Sequence, residues 1–421
     1  MDTGTTALML CAIIGLTLMI PGLALFYGGM VSVKSSVNMM MMTYGAVALV
    51  GLLWFIFGFS MVFGDSIGGL VGNPTDFFGS SNLFSPDGTT DQTSYSGLSI
   101  LLFSLFQALF ACITVALISG AAANRMKFSA WMVFAGIWAV LVYFPVASWV
   151  FNFTLGDDGS LTDGGWIVYL LGVNDFAGGT AVHINAGAAA LAVAIVLGKS
   201  ATFGTGPKPH SVPLNLLGAG LLWAGWYAFN GGSWLGASDG AAFAMVTSFL
   251  ATCAATLAWL AVEKLKHGHV TGIGAASGAI TGLVAITPSC GDVTPMGAIA
   301  VGVVAGAICP LAVGLKDRFG YDDSLDVVGV HLVGGVIGTL MIGIVGSAES
   351  VQAVDGLLYG GGLDQFWRQL AAAAAVLAYS FVVSLVLALV LKATMGIRIS
   401  PEDEELGIDA KLHRDPAYEL A

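Results

Sequence analysis

Long apolar runs, separated by short polar segments, recur from one end of this 421-residue chain to the other. Each run holds about 20 apolar residues, the number that an α-helix needs to cross about 30 Å of hydrocarbon. The pattern predicts an all-α polytopic membrane protein. Its eleven transmembrane helices are placed at residues 6–31, 39–63, 96–121, 128–150, 176–198, 212–232, 240–263, 271–288, 295–315, 326–346 and 366–394.

The composition supports a membrane protein and no soluble enzyme module. Hydrophobic residues make up 57% of the chain and charged residues only 10%, which is far too apolar for a soluble globular protein. The net charge of −12 argues against nucleic acid and favours a cationic solute. The five cysteines have no metal or redox spacing. We therefore expect no enzyme activity, no cofactor and no bound metal.

The basic residues predict the orientation of the chain in the membrane. Of the 14 Lys and Arg residues, all but Arg368 fall in alternate loops or in the tail after the last span. The positive-inside rule then places the N-terminus outside and the C-terminus in the cytoplasm. The first residues, MDTGTTALML, lack the basic region of a signal peptide. We expect a multi-pass protein of the cytoplasmic (inner) membrane.

Two of the predicted spans contain a histidine that follows an aspartate. His183 lies eight residues after Asp175, and His331 lies five residues after Asp326. An ionisable side chain inside a span indicates function by default. The two spans run in opposite directions, which predicts an inverted five-plus-five repeat with an extra C-terminal helix. In such a repeat the two histidines meet near the membrane midplane.

Aromatic and hydroxyl side chains also share helix faces near the outer ends of two spans. Phe106 and Phe110 are four residues apart, and Trp226, Phe229 and Ser233 follow helical spacing. Core packing explains such aromatic pairs as well as ligand binding does, so the spacing by itself leaves both interpretations open.

Several long motifs occur in the order and on the spans of one known family. They are PGLALFYGG, FQALFACITVALISGA, DFAGGTAVHINA, GWYAFNGGS, TPSCG and DVVGVH. Over nearly its whole length the chain resembles the Amt/Mep/Rh ammonium transporter family, on its bacterial Amt side. The resemblance implies ammonium uptake, a homotrimer with one pore per subunit, and a PII-type signalling protein as a cytoplasmic partner.

The resemblance also implies roles for individual residues. Phe106, Phe110 and Ser233 match an outer ammonium-recruitment site, and Phe110 with Phe229 matches a stacked gate. His183 and His331 match a pair of pore histidines. The remaining matches are Trp226, grouped with the substrate-binding residues, and the supporting residues Asp175, Asp326 and Thr287.

The outer site departs from the family pattern at one position. Where the family has a tryptophan that closes the recruitment site, this chain reads PVASWVF, with Phe151 at the end of the run. We assign Phe151 to the substrate-binding residues. Trp149 and Trp166 are the alternatives that the sequence leaves open.

The expected mechanism follows from the charge of ammonium. Moving a bare ion into a low-dielectric pore costs on the order of tens of kcal/mol, whereas neutral ammonia crosses cheaply. We therefore expect deprotonation at the outer site, with the histidine pair as a proton carrier. An ammonium sensor and a neutral gas channel of the Rh type are the alternatives. No output domain follows the last span, which favours transport over sensing.

The chain is divided into two parts on this interpretation. Residues 1–399 form the transmembrane transporter domain, and residues 400–421 form a cytoplasmic regulatory tail. A solvated tail without a regulatory role is the alternative, since its acidic and basic residues alternate.

Overall fold

The apolar runs form helices because backbone N–H and C=O groups in a lipid environment must bond within their own segment. A computed structural model describes residues 2–83, 98–156, 160–201, 203–204 and 209–418. Its apolar helices are α1 Thr3–Met30, α2 Val33–Phe63, α3 Ile100–Ala122, α4 Phe128–Phe151, α5 Gly179–Leu197, α6 Val212–Gly232, α7 Asp239–His267, α8 Gly272–Ile286, α9 Pro295–Phe319, α10 Val328–Val345 and α11 Asp364–Thr394. The predicted all-α membrane fold is confirmed.

Each of these eleven helices overlaps one predicted span. Helix α8 differs from the others because it is too short to count as a span by length. Ten of them are long and apolar enough to cross a membrane. Helix α8 has 15 residues, so at 1.5 Å per residue it covers about 22 Å. Helix α8 is therefore shorter than the predicted span 271–288, because the chain turns at Thr287 and continues as a buried non-helical segment. We call the side on which α1 begins the outer side.

Two small antiparallel strand pairs, which the sequence did not predict, lie on the outer side. Strand β1 (Ser66–Ile67) pairs with β2 (Val71–Gly72), and β3 (Phe153–Leu155) pairs with β4 (Leu161–Gly164). The Ser66 hydroxyl donates to the carbonyl of Gly164 at 3.2 Å, which joins the two pairs. Because β3 begins two residues after the end of α4, this joined unit fixes the position of Phe151.

A short π-helical turn, Trp166–Leu170, follows β4 on the outer side. Its amphipathic character is visible in the exposure of its side chains. Ile167 is fully buried, whereas the side chain of Leu170 is 70% exposed. The segment therefore packs along the outer surface with one face inward.

The two halves of the fold meet along α1 and α6, the first helices of each half. Glycines at every seventh position of α1, namely Gly15, Gly22 and Gly29, face α6. A Cβ added at Gly15 would lie 2.5 Å from the Cβ of Ala228, and one added at Gly29 would lie 2.7 Å from the Asn215 nitrogen. Small residues permit this close approach, which is the usual basis of helix packing in membranes.

The last pair in the repeat, α5 and α10, runs in opposite directions and shares an unusual start. Helix α5 opens with the π-helical turn Gly179–Ile184, and α10 opens with the π-helical turn Val328–Leu332. Such turns are rare and often occur at functional sites. His183 and His331 each lie within one of these turns, so the two halves place their histidines in equivalent positions.

The described part of the tail, up to residue 418, folds back on the inner side. The carboxylate of Asp409 accepts hydrogen bonds from the backbone N–H groups of Val37 and Asn38, at 2.9 and 2.8 Å. His413 Nε2 lies 2.9 Å from Asn38 Oδ1. Asp409 thus caps the first turns of α2 from a distant part of the chain. The three residues 419–421 of the predicted tail lie outside the described residues.

The contact between α1 and α6 predicts the effect of adding a methyl group. A Cβ at Gly218 would lie 2.3 Å from the backbone nitrogen of Phe26. Because backbone cannot yield as a side chain can, Gly218→Ala should lower the free energy of unfolding by about 1–3 kcal/mol. Thermal unfolding in detergent measures the change. Gly220→Ala on the same helix is the control, since a Cβ there meets nothing within 4 Å; equal midpoints for the two variants would contradict the prediction.

Candidate functional site

The start of α5 is organised by the carboxylate of Asp175. Its Oδ1 accepts from the N–H groups of Gly178 and Gly179 at 2.8 and 2.6 Å. Its Oδ2 accepts from the N–H of Thr180 at 2.8 Å and from the Thr180 hydroxyl. Asp175 lies three residues before the capping residue of α5, Gly178. Both oxygens of Asp175 are used to hold the turn that carries His183.

The start of α10 is organised by Asp323, which the sequence analysis missed. Its Oδ2 accepts from the N–H of Val328 at 2.7 Å. Asp326, the predicted residue, has a left-handed backbone (φ 62°) and pairs with Lys316 at 2.5 Å. The equivalent of Asp175 is therefore Asp323, and both aspartates lie eight residues before their histidines. The signal in the sequence was the second aspartate of YDDSLD.

Burial also changes the acidity of Asp323. The side chain lies outside the spanning helices at the inner end of α10 and is 1% exposed. Desolvation raises its pKa to about 6, and the charge of Asp326 acts in the same direction. A group that titrates near neutral pH thus lies directly below the histidine-bearing turn.

His183 and His331 meet at the crossing of α5 and α10. Their Nδ1 atoms lie 3.2 Å apart, and the ring centroids are 5.3 Å apart with an interplanar angle of 29°. Such a bond requires one ring to donate and the other to accept. The pair therefore shares one hydrogen between the two Nδ1 atoms, and Nε2 of His183 has no partner in the part of the chain that the structure describes.

A small enclosed cavity of about 10 Å³ adjoins this pair. Its volume suits roughly one molecule of the size of water. Apart from the two imidazoles its lining is apolar or aromatic: Met19, Leu23, Phe26, Ile113, Leu117, Val182, Leu222, Trp226, Phe229 and Ile280. The cavity thus offers a small molecule few polar contacts besides the imidazoles.

Trp226 belongs to this small cavity and does not line the outer one. Its ring stacks on His183 with centroids 5.5 Å apart and an interplanar angle of 22°. Its Nε1 donates to the hydroxyl of Thr287 at 2.8 Å, and that hydroxyl donates to the carbonyl of Leu283 at 2.7 Å. Thr287 therefore fixes the orientation of the tryptophan.

Phe110 and Phe229 lie between the two cavities. Their rings stack with centroids 4.0 Å apart and an interplanar angle of 23°. Phe110 lines the outer cavity, and Phe229 lines the small one. Both side chains are almost completely buried. The stacked pair therefore separates the outer cavity from the histidines.

The outer cavity has a volume of about 330 Å³ and is partly open to the outer side. Phe110, Phe151 and Ser233 line it together. The rings of Phe110 and Phe151 stand edge to face at 6.5 Å, and the Ser233 hydroxyl donates to the carbonyl of Phe229 at 2.7 Å. Phe106 is fully buried behind Phe110, with ring centroids 5.0 Å apart.

The alternative tryptophans lie elsewhere. Trp149 donates from Nε1 to the carbonyl of Leu70 at 2.7 Å, and its ring contacts those of Trp166 and Tyr379. Neither Trp149 nor Trp166 lines the outer cavity. Of the three aromatic residues considered, Phe151 is the one at the cavity.

A second carboxylate in the outer cavity was not predicted. Asp292 lines the cavity, is fully buried, and accepts from Asn174 Nδ2 at 2.6 Å. Desolvation raises its pKa to about 7, the hydrogen bond from Asn174 opposes the rise, and the charge of Asp175 adds to it. A lone aspartate directly after the apolar eighth span was the available signal.

Helices from both halves thus converge on two cavities divided by an aromatic pair, in the architecture of a polytopic membrane transporter. The family model described as Ammonium Transporter Family matches residues 7–418. The chain belongs to this family.

Individual relatives agree with the family assignment. The chain is 50% identical over 437 aligned positions to the ammonium transporter of Mycobacterium tuberculosis, covering 100% of this chain and 91% of that one. The crystal structure of Saccharomyces cerevisiae Mep2 matches with a TM-score of 0.84 and 34% identity, over 96% of this chain and 88% of that one. A solved structure titled Sensor Amt Protein matches with a TM-score of 0.85 and 27% identity, over 97% and 98%.

The burial of Asp292 predicts a stability that depends on pH. The pKa of its carboxyl is about 7 in the folded protein, against an ordinary value of 3.8. Between these values the folded state binds more protons than the unfolded state, so the free energy of unfolding falls as the pH rises. Asp292→Asn removes the titrating group and keeps an acceptor for Asn174, so the variant should lose this part of the pH dependence.

Unfolding midpoints of both proteins in detergent, from about pH 5 to about pH 8, check this sign. Asp364→Asn is the control, because the Asp364 side chain is 76% exposed at the start of α11. A difference between wild type and Asp292→Asn that stays constant with pH would contradict the prediction.

Proposed function

We propose that this chain takes up ammonium across the cytoplasmic membrane by binding the ion outside, deprotonating it and conducting ammonia past the histidine pair. Family membership supports ammonium transport as the general function. One observation carries the finer proposal: a roomy outer cavity and a cavity for one small molecule are separated by the stacked rings of Phe110 and Phe229.

The outer cavity is proposed as the recruitment site. Phe110 and Phe151 offer ring faces, and each cation–π contact contributes about 0.5–2 kcal/mol. The Ser233 hydroxyl donates to Phe229, which leaves its oxygen free to accept a hydrogen from ammonium. Phe106 supports Phe110 from behind. These contacts select and concentrate the ion but are too weak to carry it bare through an apolar pore.

Deprotonation removes the charge before the narrow part of the path. Ammonia is small and neutral, so it fits the small cavity and avoids the desolvation penalty of an ion. The histidine pair presents Nε2 of His183, to which none of the described residues is bonded, and the shared Nδ1 hydrogen gives a relay for the proton. A potassium ion finds too few polar contacts there to replace its water.

Replacement of either pore histidine tests this relay. His183→Ala and His331→Ala should each lower the ammonium current by at least about tenfold, equivalent to about 1.4 kcal/mol, or admit potassium, because the shared hydrogen is lost. Electrical recording on proteoliposomes, first with ammonium and then with potassium, measures both. His269→Ala is the control, since His269 is exposed in an inner loop. Wild-type current and selectivity in both pore variants would exclude the twin-histidine mechanism.

The aromatic pair is proposed as a gate that excludes hydrated ions. Phe229→Leu removes one ring and keeps most of the volume, so selectivity should change more than stability. An aromatic contact contributes only about 0.5–1.5 kcal/mol beyond its buried area. Potassium currents should rise relative to ammonium currents. Phe249→Leu, at a ring that is 47% exposed on the surface of α7, is the control. Unchanged exclusion of potassium in Phe229→Leu would mean that the rings of Phe110 and Phe229 are core packing and no gate.

A sensor is the second candidate, and one comparison favours it. The structure titled Sensor Amt Protein is matched over 98% of its length, so the membrane fold suits sensing as well as transport. Net ammonium-dependent current in reconstituted wild-type protein separates the two, because a sensor binds ammonium without passing charge.

The family resemblance also supports proposals about assembly and regulation. We infer a homotrimer, an N-terminus outside, a C-terminus in the cytoplasm, and a PII-type protein that binds at the inner face. Residues 1–399 then act as the transporter domain and residues 400–421 as the regulatory tail. The cap that Asp409 places on α2 gives the tail a direct contact with a spanning helix, through which a bound partner acts on the pore.

A further inference from the structure

We propose that Asp292 and Asn174 form a second binding position for ammonium in the wall of the outer cavity, in addition to the aromatic and serine position. The inference rests on the proposed function and extends it. It concerns a carboxylate that lies apart from the Phe110, Phe151 and Ser233 cluster but lines the same cavity.

Asp175 and Asp292, the carboxylates among the described residues that line the outer cavity, differ in how many hydrogen-bond donors their oxygens already have. Both oxygens of Asp175 are occupied by four donors from the first turn of α5. Asp292 accepts one hydrogen bond from Asn174 through Oδ1, and its Oδ2 has no partner among the residues that the structure describes. A buried acceptor without a donor is unfavourable, so Asp292 is the carboxylate that gains most from a cation with N–H groups.

The position of Asp292 is fixed by its surroundings. Its backbone carbonyl accepts from the N–H of Ser347 at 3.0 Å. Asn174 is held through its backbone, since its N–H donates to Gln369 Oε1 at 3.1 Å and its carbonyl accepts from Gln369 Nε2 at 2.7 Å. A site built from side chains that are already held in place loses little entropy when it binds a ligand.

Charge supports the same assignment. Asp292 is fully buried, so its ionised form is poorly hydrated. A cation in the adjoining cavity supplies a counter-ion, and ammonium also supplies a donor. Among the described residues, the titratable groups that interact electrostatically with Asp292 are Asp175 and Cys290. Neither of these two groups is a cation, so the ligand is the proposed source of positive charge.

Replacement of the charge without a change of shape tests the site. Asp292→Asn should raise the half-saturation constant for ammonium current by about tenfold, since a unit charge a few ångströms from the ion is removed. The maximal current should stay within about twofold, because Asp292 lies outside the gate and the histidine pair. Asp364→Asn removes the same charge from the exposed start of α11 and should leave the constant unchanged.

Binding is measured separately from transport by the shift in unfolding temperature that ammonium causes in purified protein. Asp292→Asn should need about tenfold more ammonium for the same shift. If this variant does not assemble, Asn174→Ala keeps the charge, removes the orienting donor, and should raise the half-saturation constant at least about threefold.

Three results would overturn the inference. The first is an unchanged half-saturation constant for ammonium in Asp292→Asn. The second is a loss of maximal current in Asp292→Asn with no change in that constant. The third is a rise of the half-saturation constant in Asp364→Asn as large as that in Asp292→Asn. Failure of the proposed function is distinguishable, because it would appear as an absence of ammonium current in the wild-type protein, whatever residue occupies position 292.

Discussion

The contact between two imidazoles inside an apolar fold is the constraint on which the rest of this structure depends. The Nδ1 atoms of His183 and His331 are 3.2 Å apart, and two protonated rings at that distance would repel each other without water to screen them. The pair is therefore stable with one shared hydrogen and no net charge. Asp175 and Asp323 hold the starts of α5 and α10, the two turns that carry these histidines.

In each half of the repeat, an aspartate eight residues before the histidine accepts hydrogen bonds from the N–H groups at the start of the histidine-bearing helix. A π-helical turn widens the helix and leaves backbone N–H groups at its start without partners. Asp175 accepts from three of them on the outer side, and Asp323 accepts from Val328 on the inner side. The two aspartates differ in their remaining contacts: both oxygens of Asp175 accept hydrogen bonds, whereas Oδ1 of Asp323 has no partner among the described residues.

The spans could be predicted because lipid imposes one length and one hydrogen-bonding pattern on every apolar run. The histidine pair could be predicted because polar side chains in such runs are rare. Asp323 could not be distinguished from Asp322 and Asp326, since the choice depends on backbone torsions such as the left-handed φ of Asp326. Asp292 and the cap from Asp409 were missed because each depends on a turn or tail folding back on a distant helix. The roles of the aromatic residues stay predictions.

The outer cavity and the small cavity differ in the ionisable side chains that line them. Carboxylates that can face a cation lie in the outer cavity, and the small cavity beyond the rings has imidazoles as its only ionisable side chains among the described residues that line it. Attraction of a cation and passage of a neutral molecule require opposite surroundings, so they cannot share one site. On the proposed function, the stacked rings of Phe110 and Phe229 mark the boundary between the cavity that attracts the cation and the cavity that passes the neutral molecule. On that proposal, selection by charge precedes selection by size, and each acts on a different chemical form of the same solute.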